Sequence, residues 1–273
     1  MELGVLALVF VLGACVGSFL NVFIFRYGFR EHDAPRSACM ACNGTLGAYD
    51  LIPLVSYVLL GGRCRRCGSG ISAQYPLVEL GSGILFVLSY LHMGALSLGL
   101  EVVFALTALF WVVLLALVVY DIRHTLMPLP LIGVLAALAF GAAVARSYAL
   151  SVPISEALIG AAVCGGFFAL LVAITRGRGM GIGDAYVAAV IGMMLGLEQG
   201  VIASMLAVWI GTVVGLTLIV VQSVFQRSAL GTGGARVTLQ SEIPFAPFLA
   251  LGALIAWEFS LGLSAFGISL PLW

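Results

Sequence analysis

Asp121 and Asp184 are isolated acidic residues at the edges of long apolar stretches. An ionisable group at a membrane segment is expensive to keep, which marks a functional position. Two carboxylates that meet across a water cannot both ionise cheaply, so one holds a proton near neutral pH. Such a pair can act as acid and base on one water, and the expected chemistry is peptide-bond hydrolysis at the membrane. Other routes are closed by composition. All twelve basic residues are Arg, so Ser–Lys dyads, Schiff-base lysines and P-loop lysines are excluded. The three histidines, His32, His92 and His124, form no His-Glu-x-x-His motif.

Asp184 ends the run Gly179-Met180-Gly181-Ile182-Gly183-Asp184. Gly181 and Gly183 are expected to support the motif by allowing an irregular backbone close to another chain segment. A plain helix cap is the structural alternative for Asp184, and a surface ion pair with Arg123 is the alternative for Asp121. A second Asp at the same membrane level favours function over either. Asp184 should open one helix and Asp121 close another. The helix dipole then predicts Asp184 as the base and Asp121 as the proton donor. The Gly-x-Gly-x-Gly pattern lacks the strand–helix–strand context of a dinucleotide site.

Four cysteines suggest a second centre. Cys39-Met-Ala-Cys42 and Cys64-Arg-Arg-Cys67 are two Cys-x-x-Cys knuckles in one polar loop. Thiols in the cytoplasm stay reduced, and four at this spacing suit a closed, structural tetrahedral Zn²⁺. Metal binding would fold a loop too small to build its own core. Cys15 and Cys164 lie in apolar stretches and are read as packing residues.

The elements that must hold these groups follow from hydropathy. The 273 residues are 62% hydrophobic and 9% charged, with a mean hydropathy of +1.18, so the fold class is an all-α polytopic membrane protein. Zero formal net charge argues against nucleic acid as a partner. Eight apolar stretches read as helices: 3–25, 77–93, 100–120, 130–146, 155–175, 185–198, 200–222 and 244–262. The first lacks the basic leader and small-residue cleavage site of a signal peptide and is read as a permanent helix. The domains expected are a first transmembrane helix, 1–25, a cytoplasmic four-cysteine zinc domain, 26–76, and a transmembrane catalytic domain, 77–273. With the N-terminus outside, eleven arginines fall on the cytoplasmic side and only Arg146 outside. Both aspartates then lie at the cytoplasmic face. Glu79, just inside the helix that follows Tyr75-Pro76, suits a helix entry as well as a substrate contact.

These residues resemble the type IV prepilin leader peptidases, membrane aspartyl proteases marked by Gly-x-Gly-Asp. Gly181-Ile182-Gly183-Asp184 matches that motif and Asp121 matches the first family aspartate. Gly17-Ser18-Phe19-Leu20-Asn21-Val22, both knuckles, Ile52-Pro53, Ser56-Tyr57, Gly62-Arg63-Cys64-Arg65 and Tyr75-Pro76-Leu77-Val78-Glu79-Leu80 match its amino-terminal half. The resemblance implies removal of a short basic leader, after a Gly, from prepilins or type II secretion pseudopilins at the cytoplasmic face of the inner membrane. The cysteine-bearing loop implies a bifunctional enzyme that N-methylates the new terminus with S-adenosylmethionine, whose binding residues the sequence does not identify. Three positions depart from the family pattern: Leu129 follows Met127-Pro128, Tyr186 replaces a Lys, and Gln74 replaces an Arg. For Ser18 and Asn21, close helix packing competes with a role in methyl transfer. Two other classes compete with this reading. A proton-relaying transporter would place its acids at mid-membrane in repeated halves; a catalytically silent assembly scaffold would fit the motif departures.

Overall fold

The computed structural model describes residues 2–26, 37–93, 100–177, 180–228 and 244–261. No β-strand occurs among the described residues, and each of the eight expected apolar stretches contains a helix. These are α1 (Glu2–Arg26), α3 (Gln74–Met93), α4 (Leu100–His124), α5 (Leu129–Leu150), α6 (Ile154–Thr175), α7 (Ile182–Leu195), α8 (Leu197–Ser228) and α9 (Ala246–Glu258). A 3₁₀ turn (Ala48–Leu51) and the short α2 (Val55–Leu59) lie in the loop between α1 and α3. Six helices, α1, α3, α4, α5, α6 and α8, are long and apolar enough to cross a membrane; α7 and α9 are shorter. The glycine-rich stretch 229–236 and Gly179 lie outside the described residues.

One boundary differs from the sequence expectation for a clear reason. Hydropathy ends one helix at residue 198 and begins the next at 200. The chain instead turns at Gly196, whose φ of +81° and ψ of −177° suit only glycine, and α8 starts at once at Leu197. The preceding helix starts three residues earlier than expected, at Ile182, so Asp184 occupies its first turn.

The chain forms two compact units, residues 1–119 and 120–273, with the division inside α4. In the first, α1 packs on α3 because both offer small surfaces. A Cβ on Gly17 would lie 2.5 Å from the Ser82 hydroxyl, and one on Gly13 would lie 2.7 Å from the Ser82 carbonyl oxygen. Asn21, fully buried, ties the two helices by donating from Nδ2 to the Tyr75 carbonyl at 3.1 Å. This bond gives Asn21 a structural role in helix pairing. Phe104 of α4 sets its ring edge-on to Phe86 and Tyr90 of α3.

In the second unit α7 is the central helix and packs against α5, α6, α8 and α9. Beyond Asp184 and Tyr186 near its start, its sequence is apolar on every face, the signature of a helix enclosed by others. Small residues let α6 approach it closely. A Cβ on Gly192 would lie 2.3 Å from the Gly160 carbonyl oxygen, and one on Gly165 would lie 2.6 Å from Ala189 Cβ. Gly252 of α9 meets α8 the same way, 2.5 Å from the Ala203 carbonyl oxygen.

Because Gly192 faces backbone that cannot step aside, Gly192→Ala should destabilise the second unit by about 2 kcal/mol or more. Gly166→Ala on α6, with open space around it, should change stability by less than about 0.5 kcal/mol. Thermal unfolding in detergent compares the two, and equal midpoints would contradict this packing.

Candidate active site and metal centre

Asp121 stands in the last turn of α4 and Asp184 in the first turn of α7. Both belong to the second unit. They are only 4% and 6% exposed and lie within electrostatic reach of each other. The short connection between α4 and α5 helps to set their placement. Thr125, at φ +51°, closes α4 by donating its N–H to the Asp121 carbonyl at 2.8 Å. The chain then passes Met127, which packs on Gly183, before α5 begins after Pro128.

The two carboxylates have parallel surroundings. Asp184 Oδ2 accepts the Gly181 N–H at 3.1 Å, while its buried Oδ1 has no hydrogen-bond partner among the described residues. Asp121 receives the backbone N–H of Ala246, and its buried Oδ2 is likewise unpartnered among the described residues. Burying a carboxylate oxygen without a donor is costly, so two such atoms in one unit constitute a demand for a shared proton, a water or a polar ligand.

This geometry revises the dipole argument. The sequence places Asp121 at a helix C-terminus and Asp184 at an N-terminus, which divides acid from base. Ala246 is the first residue of α9, so Asp121 also faces a helix N-terminus. Both carboxylates share that favourable field, and the dipoles no longer divide their roles. The two glycines also part company. Gly181 has an extended backbone (φ −79°, ψ 156°) and no close neighbour, so what it contributes is its N–H. Gly183 is spatially constrained: a Cβ there would lie 2.7 Å from Met127 Sδ and 3.2 Å from Met127 Cβ.

Ala246 and Met127 are site-shaping residues that sequence reasoning missed. Neither carries a reactive group. One signal existed: Pro244 and Pro247 bracket the start of α9 and fix a helix entry. Tyr186, one of the departures from the family pattern, is exposed.

The four cysteines of the loop converge in the first unit. Their sulfur atoms all lie within 4.8 Å of one another, with Cys39 and Cys67 at 3.9 Å. A tetrahedron with metal–sulfur bonds of about 2.3 Å has edges of about 3.8 Å, so the donor set fits Zn²⁺. The two knuckles share one design. Cys39 N–H bonds to the Gly44 carbonyl and Cys64 N–H to the Ser69 carbonyl, around positive-φ residues Asn43 and Gly68. The N–H groups of Cys42 and Ala41 point at the Cys39 sulfur and bring its pKa down to about 6, easing formation of a thiolate ligand. Cys15 is exposed on α1 and Cys164 buried on α6, and neither is a member of the four-sulfur group. Glu79 is buried on α3 and accepts the Leu54 N–H at 2.7 Å, so it tethers the loop to the helix.

Gly183→Ala should cost about 1–2 kcal/mol of stability because Met127 must move at its base. Gly181→Ala should cost less than about 0.5 kcal/mol. Denaturation of the two variants in the same detergent checks the contrast, and a larger loss at 181 would refute it.

Comparison with known proteins agrees with this architecture. Residues 11–93 match the bacterial peptidase A24 N-terminal domain, and residues 108–216 match the type IV leader peptidase family. The chain is 34% identical over 275 residues to the prepilin leader peptidase/N-methyltransferase of Myxococcus xanthus (strain DK1622), covering 97% of this chain and 73% of that protein. It is 32% identical over 271 residues to the protein of the same name from Bacillus subtilis (strain 168), covering 98% and 99%. A relative so named from Aeromonas salmonicida (strain A449) is 32% identical over 284 residues, covering 92% and 89%. No solved structure matches the chain. The helices and these relatives make it a multi-pass inner-membrane protein, and the chain belongs to the type IV leader peptidase family.

Proposed function

We propose that this protein is an aspartyl endopeptidase that removes the basic leader from prepilins or type II secretion pseudopilins, and then N-methylates the new terminus. The observation that carries the peptidase reading is the pair Asp121 and Asp184: both are buried in one unit, and each has a backbone amide beside it and one oxygen unpartnered among the described residues. The names of the relatives, all prepilin leader peptidase/N-methyltransferases, support both activities.

The chemistry follows from two carboxylates that share one proton. The ionised member removes a proton from water as the water oxygen attacks the scissile carbonyl carbon. The protonated member hydrogen-bonds the carbonyl oxygen and stabilises the charge that develops there. Proton delivery to the amide nitrogen then breaks the C–N bond, leaving a carboxylate on the leader and a free amine on the mature pilin. Acid and base roles belong to the pair, since coupled groups titrate together. The Gly181 and Ala246 amides hold the carboxylates in place while both outer oxygens face the reaction.

Cys39, Cys42, Cys64 and Cys67 would hold one Zn²⁺ in a closed, structural site, where the metal supplies a fold for the 26–76 domain. S-adenosylmethionine would supply the methyl group for the second activity. The reading places the N-terminus outside, the zinc domain in the cytoplasm and the carboxylate pair at the cytoplasmic side of the 77–273 peptidase domain, consistent with the arginine distribution.

Incubation of the purified protein with a prepilin, followed by mass spectrometry, tests the pair. Asp121→Asn and Asp184→Asn should each lower leader removal by at least about 10³-fold, because neither remaining carboxylate can share a proton with an amide. Cleavage retained in either variant removes that residue from the mechanism. Metal analysis should find one zinc per chain, lost from a Cys64→Ser/Cys67→Ser double variant. A parent protein without zinc would refute the metal assignment.

A further inference from the structure

The four-cysteine loop carries an apolar surface that its metal site does not explain. Tyr49 is 81%, Val58 74% and Leu59 80% exposed, and Leu51, Ile52 and Val55 are exposed beside them. Val55, Val58 and Leu59 share one face of α2 at i, i+3 and i+4. The 3₁₀ turn that bears Tyr49 and Leu51 packs against α2, which makes the apolar residues neighbours. A water-soluble lobe of this size has no reason to display them together.

The level of this surface is set by a hydrogen bond. Glu79 is the sixth residue of α3, about 7.5 Å along a helix that rises about 1.5 Å per residue. Its Oε2 holds the Leu54 N–H at 2.7 Å, and α2 starts at the next residue. The flanking α3 side chains Leu77 and Leu80 are themselves exposed and apolar, as befits a membrane-crossing helix. Leu54 adopts φ +62°, ψ −49°, with Val55 N–H donating to the Pro53 carbonyl at 2.6 Å. This tight γ-turn is unfavourable for leucine and redirects the chain beside α3. The loop is thus drawn down to the apolar stretch of its neighbouring helix. Arg63 and Arg66 follow α2 and are exposed, while Arg65 pairs with Asp50 at 2.9 Å.

We propose that residues 48–66 form a membrane-interfacial element. Val55, Val58, Leu59 and Tyr49 enter the boundary between headgroups and acyl chains, Arg63 and Arg66 meet anionic headgroups, and Glu79 fixes the depth. The occupant of the apolar face is the lipid bilayer itself. Apolar insertion combined with basic attraction is the usual physics of interfacial segments. The proposal does not depend on the carboxylate pair, so it can fail or hold independently of the peptidase reading.

The test uses the full-length protein in nanodiscs of phosphatidylcholine and phosphatidylglycerol. A p-benzoyl-phenylalanine is placed at position 58, 59, 77 or 72, and irradiation products are identified by mass spectrometry. Positions 58 and 59 should give acyl-chain adducts within about threefold of the yield at 77, with position 72, in a polar turn, near background. Adducts to peptides instead of lipid, or yields as low as at 72, overturn the proposal. A second measurement uses the double variant Val58→Asp/Leu59→Asp. Releasing the element should speed cleavage after Arg63 and Arg66 by an arginine-specific protease about tenfold, with the zinc-to-protein ratio unchanged. Unaltered cleavage counts against the proposal; if the zinc ratio falls, the photo-adducts alone decide.

Discussion

Withdrawing two carboxylates from water inside one helical unit is the most demanding condition this chain meets. An ionised oxygen in an apolar surround needs a donor. The fold uses backbone amides at two helix starts, Gly181 before α7 and Ala246 at the head of α9. Such amides are oriented in advance by the helix and carry part of its dipole, so they favour the anion without introducing a mobile cation. The second oxygen of each acid is left buried and unpartnered among the described residues, open to a shared proton, a water or a polar ligand.

That arrangement depends on close packing. Aligning the start of α7 with the end of α4 and the start of α9 requires a central helix that several neighbours can approach. Gly160 against Gly192, Gly165 against Ala189 and Gly252 against Ala203 provide the approach. In lipid there is little hydrophobic gain in bringing apolar helices together, so dispersion over such small-residue contacts must supply the association. The first unit follows the same rule, with Gly13 and Gly17 against Ser82. There, Asn21 and Glu79 use side chains on backbone groups to pin a helix and a loop.

Side chains with unusual chemistry were legible in the sequence. Asp121, Asp184 and the two cysteine knuckles stood out because few residue types suit their surroundings; the four sulfur atoms converge and both aspartates are buried in one unit. The eight helical stretches were equally plain from hydropathy. What was hidden depended on backbone or on distant contacts. The Ala246 amide lies more than a hundred residues from Asp121, and the flanking Pro244 and Pro247 mark a helix entry without showing what it meets. Gly181 and Gly183 look alike in a motif, yet one offers an N–H and the other offers room for Met127. The end of α7 differs from the hydropathic limit because Gly196 makes the turn within an apolar run. The dipoles of α4 and α7 alone separate an acid from a base, but α9 places a further helix start beside Asp121, which the sequence around the aspartates does not reveal.

The order of helices along the chain bears on how the molecule is made. Helix α7 is 14 residues long, about 21 Å at 1.5 Å per residue, short of a hydrocarbon layer of about 30 Å. Two of its neighbours, α8 and α9, emerge from the ribosome after it. Until they arrive, Asp184 heads a segment poorly suited to insertion alone, and Asp121 lacks its amide donor. The acidic centre therefore assembles only after α9 has been made, so a product truncated before α9 would enter the bilayer with its carboxylates unorganised.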